Sequence, residues 1–103
     1  MRLYVALLGT LTEGQRTAQA MHAVAELALC RPAAFAAWHQ ASNTVVAVTM
    51  DATDLARVHH EAVLGDAPWA AFREPDLGMA LTAVAMLGEA REMPRPLRRA
   101  PLA

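Results

Sequence analysis

The chain contains no lysine: all nine of its cations are arginine. Together with abundant alanine this reads as a coding bias, so the missing lysines say little about chemistry. Aromatic residues make up only 5%. A core built on clustered rings is thereby excluded, and Ala, Val, Leu and Met must fill it by close packing of helices on a sheet. The single cysteine, Cys30, rules out an internal disulfide and is compatible with a reducing compartment. The apolar run Leu3–Leu8 is too short for a membrane span or a signal-peptide core, and only one Arg precedes it. The expectation is a soluble, cytoplasmic protein that does not enter a membrane.

What is present is a globular composition. A chain of 103 residues, 55% hydrophobic against 18% charged, accommodates one domain with one substantial core. The net charge of −1 conceals an asymmetry. Residues 91–103 carry four Arg and one Glu, net +3, whereas residues 1–90 carry five Arg against nine acids, net −4. A nucleic-acid binder usually presents a basic face, and here the one basic cluster is terminal. The chain therefore divides into an α/β domain over 1–90 and an Arg/Pro-rich tail over 91–103. With Pro94, Pro96 and Pro101 among arginines and no core pattern, the tail is expected to be extended or mobile.

Residues 2–9 form a nearly continuous apolar run closed by Gly9, the pattern of a strand buried on both faces. Thr12 followed by Gln15 has the spacing of a capping box and opens a helix to about Leu29. Pro32 stops it and starts a second helix over PAAFAAWHQA. Residues 44–50, TVVAVTM, read as a buried strand. Asp51 caps a third helix over about 52–64, with Asp54 in its first turn and Arg57 spaced to pair with Glu61. Trp69–Arg73 and Leu81–Leu87 are further strands, separated by the loop Glu74–Gly78. The order β-α-α-β-α-β-β, with four strands, predicts a single three-layer α/β domain with helices on both faces of the sheet.

Within the first helix, Gln15, Gln19, His22 and Glu26 fall at i, i+4, i+7 and i+11 and line one stripe of an otherwise apolar segment. Gln15 is explained by the capping box. Gln19 is not, because a buried carboxamide must find several hydrogen-bond partners. His22 has the side chain best suited to general-base work near neutral pH, although a histidine on an alanine-rich helix also serves as a packing residue. Arg73 and Glu74 are adjacent at a strand end, so only one of them faces that stripe. His59 and His60 diverge by about 100° around a helix and lack supporting ligands, so no metal site is expected.

In this order of elements, the sequence resembles the type 2 peptidyl-tRNA hydrolase family over about residues 2–88. Gly14-Gln15-Arg16-Thr17-Ala18-Gln19-Ala20-Met21-His22-Ala23 is similar to the family's Gly-Lys-x-x-x-Gln-x-x-His-Ala helix start. Trp38 precedes the strand TVVAVTM as in the family. Phe72 to Ala85 resembles the loop and last strand written there as Asp-Ala-Gly-Arg-Thr and Thr-Val-Leu-Ala. The resemblance implies a four-stranded mixed sheet, often a homodimer, and metal-free, cofactor-free hydrolysis of the ester joining a peptide to the 3′ ribose of tRNA. It also implies His22, Glu74 and Thr82 near the bond, with Gln15, Arg16, Gln19 and Arg73 as substrate-binding candidates. The chain departs from the family in two places: Gln15 stands where the family has lysine, and EPDLG shortens the loop. Glu74 is the nearest match to the family aspartate, with Asp76 the other candidate. Two readings follow: a translation-linked esterase with a tRNA ester as substrate, or a catalytically inactive dimeric member that binds RNA or protein.

Overall fold

The computed structural model describes residues 1–103. Strand β1 (Arg2–Leu8) pairs in parallel with β2 (Val45–Met50) and antiparallel with β4 (Ala80–Gly88), and β4 pairs antiparallel with β3 (Trp69–Glu74), giving the sheet order β2-β1-β4-β3. The apolar run of β1 is explained by this central position. Leu3, Val5 and Leu7 point into one core with Ala23, Leu27 and Trp38, while Tyr4 and Ala6 point into another with Leu55, Val58 and Met86. Alternation along a strand with two buried faces requires apolar residues at every position.

Helices α1 (Glu13–Cys30) and α2 (Pro32–Ala41) cover the first face. Both halves of the Thr12/Gln15 capping box are formed: Gln15 N donates to Thr12 Oγ1 (3.2 Å) and Thr12 N donates to Gln15 Oε1 (2.9 Å). Trp38 is buried, and its indole Nε1 donates to the Thr44 carbonyl at 2.9 Å, which ties the end of α2 to the start of β2. On the second face lies α3 (Ala52–Leu64), packed through Leu55, Val58 and Ala62. Asp51 Oδ1 caps it by accepting from Asp54 N at 2.8 Å. The expected three-layer α/β architecture with a mixed four-stranded sheet is the one observed. No helix is long and apolar enough to cross a membrane.

The expectation for the C-terminal segment is corrected. Residues 95–99 form a short helix, α4 (Arg95–Arg99), on the α3 face. Met93 and Leu97, four apart, are 3% and 2% exposed and belong to the same core as Val58 and Met86, so the segment is part of the domain and not a free tail. Its last residues run against the open edge of β2. Thr49 N donates to Pro101 O (3.1 Å), Ala103 N donates to Ala47 O (2.9 Å), and Val48 bridges Leu102 in antiparallel sense. An edge strand with unpaired N–H and C=O groups invites pairing with other chains; the segment covers part of that edge.

Candidate active site

α1 turns Gln19, Ala23 and Leu27, spaced four apart, toward the sheet, and all three are buried. Gln19 is the polar member of that stripe and both ends of its carboxamide are occupied. Nε2 donates to Glu74 Oε1 at 3.0 Å, and Oε1 accepts from the Thr82 hydroxyl at 2.6 Å. Thr82 also lies 3.3 Å from the Phe72 carbonyl, a weaker second acceptor. The result is a directed chain, Thr82 to Gln19 to Glu74, that links β4, α1 and the end of β3. Every buried polar atom in it is satisfied, as burial demands.

Simple alternation would turn Thr82 away from α1, because its neighbour Ala83 already faces α1 in the first core. A register shift resolves this. Phe72 pairs with Ala83 and Arg73 pairs with Leu81, which leaves Thr82 as the extra residue of a β-bulge. A bulge re-aims a side chain, and here it brings the hydroxyl to Gln19. On the opposite strand, Glu74 and Phe72 share the α1 side. Arg73 takes the other side, where its guanidinium donates to the Met79 carbonyl at 3.3 Å. The charge of Arg73 is felt at His59 on α3, whose pKa is lowered first by burial, then by Arg73 and His60.

His22, one turn beyond Gln19, is exposed and stacks on Phe72 with ring centroids 4.4 Å apart and planes 17° apart. Phe72 is the member of this arrangement that the sequence reading passed over, although its place two residues before Glu74 puts both on one strand face. The stack fixes the plane of the imidazole while leaving its edge in solvent. Phe72 and Glu74, two apart on β3, face the same side, so the imidazole stacked on Phe72 and the carboxylate held by Gln19 lie on one face of the sheet.

The other candidates lie elsewhere. Gln15 is exposed and engaged in the helix cap. Arg16 donates to the carbonyls of Gly9 (3.3 Å) and Leu11 (3.1 Å), bracing the β1–α1 loop, and lines a groove with Met21 and Ala47 on the β2 side of α1. Arg16 and Arg73 are therefore not brought to Glu74. Gln19 and Thr82, at 4% and 0% exposure, reach solvent only through the carboxylate they position. The larger clefts of the molecule are not lined by His22 or Glu74. No group of three or more His, Cys, Asp or Glu side chains is gathered as a metal site would require. No family model matches the chain, and no curated protein matches it.

Proposed function

We propose that this protein is an ester hydrolase of the peptidyl-tRNA hydrolase type, acting on the bond between a peptide and the 3′ ribose of tRNA. The observation that carries the reading is the Thr82–Gln19–Glu74 chain together with an exposed histidine, one helical turn beyond Gln19, stacked on Phe72 two residues before Glu74. In this mechanism His22 takes a proton from a water as the water oxygen attacks the ester carbonyl. The tetrahedral intermediate then collapses, the C–O bond to the ribose breaks, and the imidazolium returns its proton to the leaving 3′ oxygen. Glu74 orients the water and stabilises the imidazolium. Gln19 pins one carboxylate oxygen, so the other is presented in a fixed direction, and Thr82 fixes Gln19. His22 and Glu74 are the groups at the bond, while Gln19 and Thr82 act through them as positioning residues.

Incubation of the purified protein with a peptidyl-tRNA pool tests this, with His22→Ala as control. Release of deacylated tRNA that depends on His22 is the expected result; release no faster than the blank refutes it.

A second reading is a dimeric, non-catalytic module that binds RNA or protein. It is favoured by the satisfied, sealed state of Gln19 and Thr82 and by the absence of acidic partners for Arg95, Arg98 and Arg99 on α4. It predicts RNA affinity that falls with salt, weakens in an Arg95→Gln/Arg98→Gln/Arg99→Gln variant, and occurs without turnover. Deleting residues 93–103 is unsuitable here, because it removes Met93 and Leu97 from the core.

A further inference from the structure

The sheet ends in β2 on one side and β3 on the other, and the chain treats these edges differently. Residues 101–103 cover part of the β2 edge, whereas no segment bonds along the open edge of β3. Within the ladder, Pro68 O accepts from Leu87 N at 3.0 Å, and Ala70 and Phe72 lie opposite Ala85 and Ala83. Alternate residues of an antiparallel strand turn their N–H and C=O groups to opposite sides. Pro68, Ala70 and Phe72 therefore turn theirs to β4, and Trp69, Ala71 and Arg73 hold theirs out from the edge. Glu74 O accepts from Met79 N at 2.9 Å, so the alternation survives the bulge. A strand with such an edge is a template for another strand. The helices beside it also leave apolar surface there. On the α3 side, His59 meets the Trp69 ring edge-on, and Val63, four residues further along the helix, is 52% exposed. On the α1 side, His22 stacks on Phe72, and Leu29, two turns beyond it, is 79% exposed.

We infer that the strand this edge receives is β3 of a second copy of the chain, running antiparallel about a two-fold axis at Ala71. Only residues with outward groups can exchange bonds, so Ala71 faces the partner's Ala71 and Trp69 faces the partner's Arg73. That register uses every outward group of the strand. Sliding it one step either way sets Trp69 opposite Pro75, which has no N–H, or Arg73 opposite Ala67, beyond the end of the strand. A further slide sets the Arg73 side chains of the two copies opposite each other, which like charge disfavours. In the register at Ala71, each guanidinium lies across from an indole on the same face, within reach of a cation–π contact. Within one chain its hydrogen bond is a single 3.3 Å contact to the exposed Met79 carbonyl. On the other face, Phe72 lies across from the partner's Ala70, whose small side chain admits the ring. Every contact is repeated by the two-fold, so the pairing closes as a dimer and does not propagate. An unrelated strand would supply the backbone bonds but not the Arg–Trp exchange. The inference is independent of the proposed hydrolase activity, since the ladder forms whether or not an ester is cleaved.

The test is sedimentation equilibrium of the full chain and of Ala71→Pro. Proline removes an outward N–H and no bond within the chain, and an edge strand tolerates it. The parent is expected to be a dimer with a dissociation constant below about 1 mM, and Ala71→Pro should weaken it at least about tenfold while keeping the parent's circular dichroism. A parent that stays monomeric up to about 1 mM overturns the inference and leaves the edge to a strand of another protein. A folded Ala71→Pro variant that dimerises as well as the parent overturns it too. A second measurement does not depend on that variant folding. In a Cys30→Ser background, Ala71→Cys should oxidise to a disulfide-linked dimer, because directly opposed residues of a bonded pair have Cα atoms about 5.5 Å apart. Arg73→Cys in the same background should not, since the register holds its two copies about 13 Å apart along the strands. Equal cross-linking at both positions, or none with Ala71→Cys, overturns the inference.

Discussion

Replacing Thr82 with valine keeps the β-branched shape at the bulge and removes only the hydroxyl. Gln19 Oε1, in a residue 4% exposed, then loses its donor while shut off from bulk solvent. An orphaned buried acceptor costs about 1–3 kcal/mol. For a domain of this size each kcal/mol lowers Tm by about 4–8 °C, so Thr82→Val should melt roughly 5–20 °C below the parent. Gln19→Leu should cost less than its two lost bonds suggest. Thr82 retains the Phe72 carbonyl as a second acceptor, and half-buried Glu74 can turn to water. The double variant removes the polar pair together and should be less destabilised than the two singles combined, by about 1 kcal/mol or more. Urea denaturation of the four proteins measures all three quantities. Additive single effects, or a Thr82→Val variant as stable as the parent, would refute the reasoning that this hydrogen bond is sealed and needed.

Truncating Leu97 to alanine should cost about 2–5 kcal/mol, because this residue is 2% exposed in the α3-side core; a change below about 0.5 kcal/mol in urea denaturation would mean that α4 is not docked. His59 titrates below its ordinary value of 6.5 in the folded chain. The unfolded chain therefore binds a proton more readily, and the stability His59 contributes is present above that value and fades as pH falls from there through the lowered folded value. The effect is modest because the ring is only half-buried. His59→Phe should reduce the difference in Tm between neutral and mildly acidic buffer, and an unchanged difference would assign the pH response to other groups. Thr12→Ala removes one arm of the α1 capping box and should lower stability by about 1 kcal/mol, measurable by thermal unfolding, whereas no change would mean that the cap contributes nothing.

Features that depend on local pattern were legible in the sequence. The doubly buried run of β1, the Thr12 and Asp51 caps, Pro32 opening α2 and the order of strands all follow from short-range rules, and the structure has them. The sheet's mixed character was an implication of the family resemblance and not of any local pattern, and the sheet has it. Features that depend on distant partners were not legible. Gln19 could be recognised as needing partners, but one is Glu74, 55 residues away, and the other is Thr82, 63 residues away. Thr82 reaches Gln19 only through a bulge, which the pairing of β3 and β4 creates and no composition signals. α4 was hidden because arginine and proline dominate its five residues, and its packing signal is only Met93 and Leu97 at a spacing of four. Arg73 and Glu74 were separable in principle, since adjacent strand residues face opposite ways, and the structure turns Glu74 toward α1.

The central claim is that His22 and Glu74 together activate water against a tRNA ester. The most direct measurement is the single-turnover rate of peptidyl-tRNA hydrolysis for the parent, His22→Ala and Glu74→Gln. The account predicts hydrolysis by the parent above the uncatalysed rate, a loss of about 10²–10⁴-fold in His22→Ala, and an intermediate loss in Glu74→Gln. Equal rates in all three proteins, or a parent rate equal to the uncatalysed one, would contradict it.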